Sequence, residues 1–379
     1  VVRRSIQLSY GHAVAGRATL FTKSCSRIVE KPSVDVVVAG AGLGGACAAL
    51  WLSASKRVLL LSGTAPAASG VAAGLINPFA GQRVVPSWHA DLAYKDLLDT
   101  LAQADASDTY DACGILRTAL DKPQSVKLRS LVQEHADSFT WLPPDEAHSR
   151  FPYVSAPFGA AITTGGVVDT PKMLEYTHGT IASRCTVLAS DLVGWEDTGS
   201  GVTVTLKSGP SLHASKLILA LGAGYKSFPV LSALNLHCIK GQIVRVRTPE
   251  SFSHSIPVSG YGYVVPLRDT LILGTTYEHS FQNDQPTKVG SQNILALTQQ
   301  MVPCIKTADI LNTAAGIRVG VPGTRLPMVG PLSGNVWVLT GLGSQGLLFG
   351  AHIGRNLVNW ITNPEHVPNE LRLQKKRRI

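Results

Sequence analysis

Apolar positions along the chain recur in runs of different kinds. Some are short blocks that end in glycine: Val36-Val37-Val38 before Gly40, Leu217-Ile218-Leu219 before Gly222, and Val336-Trp337-Val338-Leu339 before Gly341. Uninterrupted blocks of this length predict strands buried on both faces. Other runs alternate. "VTVTLKSGPSLHASKLILALGAG" (202–224) turns at Ser208-Gly209-Pro210, and "HCIKGQIVRVR", "YGYVVPL" and "TLILGTTYE" make 235–275 rich in strands. Helical spacing appears in 89–140, where "ADLAYKDLLDTLAQA" is expected to put Leu92, Leu97, Leu98 and Leu101 on one face. It appears again near 291–302 and in the apolar helix that closes 335–361. Proline and aromatic residues break the pattern around 141–160, and the small-residue connection 64–88 is too apolar for a solvated linker.

The glycine-terminated strands lie at the beginning, middle and end of the chain. A sheet that binds its ligand at the carboxyl ends of its strands would gather their turns in one place. The first turn, Gly40-x-Gly42-x-x-Gly45, stands between a strand and a helix. Its glycines permit a tight turn, close approach of backbone to a pyrophosphate, and close packing of helix on strand. Amides at the start of the helix would meet the phosphate charge. The second strand of such a unit usually ends on an acid that grips a ribose; here Val58-Leu59-Leu60-Leu61 runs into Ser62-Gly63. A hydroxyl forgoes the charge-assisted bond, which is about twice as strong. NADP would call for a nearby cation, yet no Arg or Lys follows Ser62 before Arg83. A flavin dinucleotide, gripped along its whole length, depends less on that one contact.

Charge changes the picture little. The net +9 divides into +4 over residues 1–30, +4 over residues 369–379 and +1 for everything between. A nearly neutral body does not favour nucleic acid as a partner. Residues 1–29 contain no acid and are rich in Arg, Ser, Ala and Val, the composition of an organelle transit peptide. The expected location is a plastid or mitochondrion, with the cytoplasm as the alternative. No apolar stretch is long enough to predict a membrane span. Six cysteines without a C-x-x-C pair predict neither a zinc site nor a disulfide framework.

The Gly40 loop, "AASGVAAG", "KLILALGAG", "KGQIVRVR", "YGYVVPL…LILGTTYE", "AGIRVG…TRLPMVG" and "VLTGLGSQGLLFGAHIG" occur in that order. Over residues 34–365 they resemble the FAD-dependent oxidoreductases of the D-amino-acid oxidase class. Within that class the chain is similar to glycine oxidase, sarcosine oxidase and the oxidase module of the tRNA 5-methylaminomethyl-2-thiouridine enzyme. The resemblance implies an α/β fold, with a Rossmann-like FAD-binding domain of the glutathione-reductase type and a second, mixed-sheet α+β substrate domain. Residues 34–115, 160–230 and 314–366 are expected to form the first, residues 116–159 and 231–313 the second. Residues 1–33 and 367–379 are set aside as a transit segment or tail and a basic tail.

The same resemblance implies FAD contacts at Gly40, Gly42, Leu43, Gly44 and Gly45, at Ser62 and Gly63, and at Ser69, Ala73, Gly74 and Leu75. Further contacts are implied at Leu192, at Gly222, and along Leu342, Gly343, Ser344, Gln345, Gly346, Leu347 and Leu348. Arg318 matches the arginine that clamps a substrate carboxylate, and Tyr263 the tyrosine whose hydroxyl faces it; these are the catalytic candidates. Tyr261, Tyr277, Arg325 and Ser344 are further substrate candidates. A structural ion pair is the other role open to Arg318, and a core position the other role open to each tyrosine. The implied activity is oxidation of the C–N bond of a small amine or amino acid, with oxygen or another acceptor taking the electrons. The alternatives are action on a carboxymethylaminomethyl-modified tRNA uridine, a nicotinamide-dependent dehydrogenase, and a flavin-binding protein without turnover.

Overall fold

The computed structural model describes residues 34–375 apart from 82, 83, 251 and 253–255. The expected transit segment and residues 376–379 of the tail lie outside the described residues. Two eight-stranded sheets organise the chain. In the first, strand Val34–Ala39 lies between Val58–Ser62 and Leu212–Leu219, all parallel, and Thr186–Ala189 continues the parallel set beyond Val58–Ser62. Val336–Thr340 joins the carboxyl half of Leu212–Leu219, while Val202–Leu206 and Leu192–Asp197 form an antiparallel meander on its amino half. Met328–Pro331 pairs outside Val336–Thr340.

The uninterrupted apolar blocks follow from covering this sheet on both faces. Val36, Val38, Leu60, Ile218, Trp337 and Leu339 pack beneath helices, and Val37, Leu59, Leu61, Leu217, Leu219 and Val338 fill a second core on the other side. Helix Leu43–Leu52 is buried at every residue but Trp51, so it is apolar all round rather than amphipathic. It lies against the closing helix Gly346–Trp360, where a Cβ on Gly354 would stand 2.7 Å from the Cys47 carbonyl carbon. Glycine there lets the two backbones touch.

Helix Ala90–Gln103 forms as expected, but its buried face is Ala93, Asp96, Leu97, Thr100 and Leu101; Leu92 and Leu98 are 54% and 39% exposed. Residues five apart stand about 140° apart around a helix, so Leu92 cannot share the stripe of Leu97. Polar ties fix the helix against the closing helix instead. His352 Nδ1 and Asp96 Oδ2 are 2.6 Å apart, and Arg355 donates to Asp96 at 2.9 Å.

The second sheet runs Ile310–Gly320, His237–Arg247, Thr270–Gly274, Tyr263–Leu267, Val258–Ser259, Ile115–Thr118, Ala160–Thr163, Phe139–Leu142. Its pairs are antiparallel except Val258–Ser259 with Ile115–Thr118. The expected boundaries at 115 and 314 fall inside strands of this sheet, and the one at 160 separates Ala160–Thr163 from its partners Ile115–Thr118 and Phe139–Leu142. Residues 367–374, set aside with the basic tail, pack on the body: Val367 and Leu371 are buried in the first core, and Asn235 donates to the Gln374 carbonyl at 2.8 Å.

Candidate active site between the two sheets

The glycine loop opens at the carboxyl end of the first strand. Gly40 has φ +110°, a conformation open to glycine and strained for other residues, and a Cβ on Gly45 would overlap the Gly40 carbonyl. Helix Leu43–Leu52 starts at Gly42, which has no side chain to cap it, and carries no acid in its first turn. Its leading amides and positive dipole end therefore suit an anion. Ser69 Oγ accepts the Leu43 N–H at 3.3 Å, and a Cβ on Gly42 would stand 2.9 Å from that oxygen. A backbone cradle that any side chain at Gly42 would fill is what a pyrophosphate of FAD needs, and the residues fit the group.

The loop is closed from both sides. A Cβ on Gly44 would meet Leu342 Cδ1 at 3.1 Å, and one on Gly346 would meet Leu43 Cδ1 at 3.3 Å, so the closing turn lies against the glycine loop. Segment 68–75 runs from the loop to the second sheet: Ala68 and Val71 press on Gly316, and Ala73 joins a cluster with Ile243, Val265 and Ile272. Gly74 bonds Val168 through its carbonyl at 2.8 Å, with Leu75 beside it. The middle turn divides. Ala220 and Leu221 border Gly40, whereas Gly222 lines a small cavity with Leu219, Tyr225 and Val338 on the far face of the sheet. His178, which motif reading missed, holds the loop by its Nε2 to the Ala41 carbonyl at 3.0 Å. Burial pushes the His178 imidazole below its ordinary value, so it stays neutral and can donate there.

Register places the substrate candidates on the facing surface of the second sheet. Tyr263, Gly274 and Ile243 align across adjacent strands, and Gly241 and Arg318 lie along the same face. Glycines make room for both functional side chains: a Cβ on Gly274 would overlap the Tyr263 ring, and one on Gly241 would stand 2.7 Å from Arg318 Cζ. Glycine inside a strand is a sequence signal for such an approach, legible in "KGQ" and "LILG". Arg318 Nη2 donates to the Thr276 carbonyl at 2.9 Å, and its guanidinium lies 4.6 Å from the centre of the Tyr277 ring. Burial is the main cause that pushes the Tyr263 hydroxyl up to about 12, against the opposing pull of the Arg318 charge. Among the described residues no carboxylate pairs with Arg318. The closing turn reaches this strand, with Gly343 N–H donating to the Val319 carbonyl at 2.8 Å.

Other candidates stand apart. Tyr261 is exposed and donates to Asp121 at 3.3 Å, at the start of helix Lys122–Glu134. Arg325 lies near Gly81 and borders a cleft of about 380 Å³ with Ser87, Trp88, Gln345 and Phe349. Ser344 is exposed, Gln345 bonds Ser87, and Leu347 and Leu348 are buried in the first core. Ser62 and Gly63 lie where the second strand leaves the first sheet, beside Asp191, and Leu192 follows Asp191 along the chain. Arg117, also unforeseen, shares the facing surface through Ser259; it is 5% exposed and donates to the Phe79 carbonyl at 2.5 Å.

The fold is shared with known proteins. Glycine oxidase of Pseudomonas aeruginosa is 25% identical over 88% of this chain and 96% of that protein. The tRNA 5-methylaminomethyl-2-thiouridine biosynthesis bifunctional protein of Polaromonas is 28% identical over 91% of this chain, which spans 59% of that relative. The crystal structure of glycine oxidase from Bacillus cereus superposes with a TM-score of 0.78 at 22% identity, covering 92% of this chain and 100% of that one. The family model DAO, FAD dependent oxidoreductase, matches residues 35–360, so the chain belongs to that family of FAD-dependent enzymes.

Proposed function

We propose that the enzyme oxidises the C–N bond of a small, carboxylate-bearing amine or amino acid to an imine. The observation that carries this reading is the state of Arg318. It is half-buried on the face opposite the glycine loop, oriented by Thr276 and Tyr277, and without an acid partner among the described residues. A guanidinium shielded from water calls for an anion, and its planar fork matches a carboxylate through two parallel bonds. That leaves the structural ion pair without support.

Bound FAD supplies the acceptor for a hydride and its two electrons. Arg318 holds the carboxylate end of the substrate and so fixes the direction of the Cα–H bond. Tyr263, kept protonated by burial, donates its hydroxyl to the same carboxylate. The hydride leaves carbon, a proton leaves the unprotonated amine to solvent, and water hydrolyses the resulting imine. Segment 68–75 and the closing turn pack between the glycine loop and the second sheet, where they would screen the reacting atoms from bulk water. Oxygen or another acceptor then takes the electrons.

Anaerobic bleaching of the FAD-loaded protein across a panel tests the proposal. The panel holds glycine, sarcosine, D-amino acids, imino diacids, a carboxymethylaminomethyl uridine nucleoside, and matched amines lacking the carboxylate. Carboxylated members are expected to bleach the visible band and their decarboxylated analogues to fail. Equal reduction by both sets would remove Arg318 from the substrate. No reduction by any member would leave a flavin-binding protein without this activity.

A further inference from the structure

We propose that Asp191 supplies, from a neighbouring strand connection, the carboxylate that strand Val58–Ser62 lacks at its end, and that it is a positioning residue for the ribose edge of the dinucleotide site. The inference rests on the FAD reading of the glycine loop and concerns residues that motif reading passed over.

In a strand–loop–helix–strand unit the acid closing the second strand accepts ribose hydroxyls. Here that place is Ser62. Strand Thr186–Ala189 runs parallel to Val58–Ser62 with Ala189 opposite Ser62, so both chains leave the sheet side by side, and Ser190 N–H donates to the Ser62 carbonyl at 3.1 Å. Asp191 therefore emerges beside the vacant position. Its Oδ1 accepts the Thr64 N–H at 2.8 Å, and its Oδ2 accepts the Thr64 hydroxyl at 2.9 Å. Gly63 passes so close that a Cβ there would stand 2.9 Å from Oδ1. Glycine at 63 thus admits the carboxylate, which a side chain would displace.

Lys207 Nζ stands 3.6 Å from Oδ2, a loose and exposed ion pair that leaves the carboxylate open to a further donor. The Thr64 bonds, chiefly, hold the Asp191 carboxyl below its usual range, so it is ionised at neutral pH. A carboxylate offers about four lone-pair positions. Thr64 takes two, which leaves capacity for a hydroxyl presented along the loop Ser62–Thr64.

Binding of FAD and FMN to the apoprotein, followed by flavin fluorescence, tests the assignment in wild type, Asp191→Asn and Gly63→Ala. FMN carries the ring and a phosphate but no adenosine. Loss of a hydrogen bond to a charged group predicts a rise in FAD Kd of about tenfold or more in both variants. FMN Kd and the melting midpoint of the apoprotein are expected to stay unchanged. A loop cap with no ligand role would weaken both flavins in parallel or neither, and either result overturns the inference. Wild-type protein that binds neither flavin would overturn the cofactor reading together with it.

Discussion

Gly241→Ala perturbs the proposed carboxylate clamp without touching Arg318 itself. Gly241 lies mid-strand in His237–Arg247, in extended backbone that alanine adopts without strain, and the atoms its new methyl would meet are Arg318 Nη2, then Cζ and Nε at 2.7 and 3.0 Å. These lie at the far end of a flexible side chain, so the guanidinium yields and the sheet does not. Displacement removes the bond from the charged guanidinium to the Thr276 carbonyl, a loss of about 1.5 kcal/mol, at the low end for a charged group because the half-exposed guanidinium rehydrates. Alanine also restricts the unfolded chain, which returns about 0.4–1 kcal/mol. The two effects largely cancel, and the melting temperature is expected to fall by less than about 3 °C. The effect on substrate is not cancelled. Losing a charge-assisted bidentate contact worth about 1.5–3 kcal/mol raises KM for a carboxylated substrate about 10- to 100-fold. Steady-state kinetics at saturating FAD, beside a thermal melt, give both numbers. An unchanged KM with an intact melt would show that Arg318, where the fold holds it, does not bind the substrate.

Tyr263→Phe removes a single donor and should raise KM about tenfold with kcat little changed; an unaltered KM would return Tyr263 to a packing role. Burial lifts the wild-type hydroxyl to about 12, above its unfolded value near 10. Its contribution to stability is therefore complete below about pH 10 and is lost as pH rises through 12; burial raises Tyr110, Tyr153 and Tyr225 too, so melts of Tyr263→Phe should show a shallower alkaline limb. His178 runs in the opposite sense. Its folded value is depressed by burial, so its contribution is present above about pH 6.5 and is lost as pH falls through the folded value. His178→Gln, which can still donate to Ala41, should flatten the acid limb of apoprotein melting, and an identical limb would acquit this residue. Residues 1–33 fused to a fluorescent protein are expected to drive import into isolated mitochondria or chloroplasts; exclusion from both would refute the targeting role.

What the amino-acid pattern discloses depends on whether a feature is local. The strand–glycine–helix units at 34–52 and 336–360 are legible because an apolar block, a glycine turn and an apolar helix are contiguous, and each residue's reason lies within a few neighbours. Arg318 and Tyr263 come to one face because alternate residues of a strand share a side, and the glycines beside them mark where long side chains cross. Features that depend on a second strand leave no local trace. Asp191 reaches Thr64 across 127 positions, and its neighbours Ser190 and Leu192 carry no mark of that contact. Strand Ile310–Gly320 hides its membership in the second sheet because only pairing with His237–Arg247 reveals it. The tail conceals its packing for a similar reason: Val367, Leu371 and Leu373 fill gaps in two cores without helical or strand periodicity, while the surrounding Lys and Arg dominate the composition. The apparent defect at the end of the second strand is of this kind too. Ser62 looks like a missing acid only while the chain is read in one dimension; the parallel pairing of Val58–Ser62 with Thr186–Ala189 brings a carboxylate to the same edge from another part of the sequence.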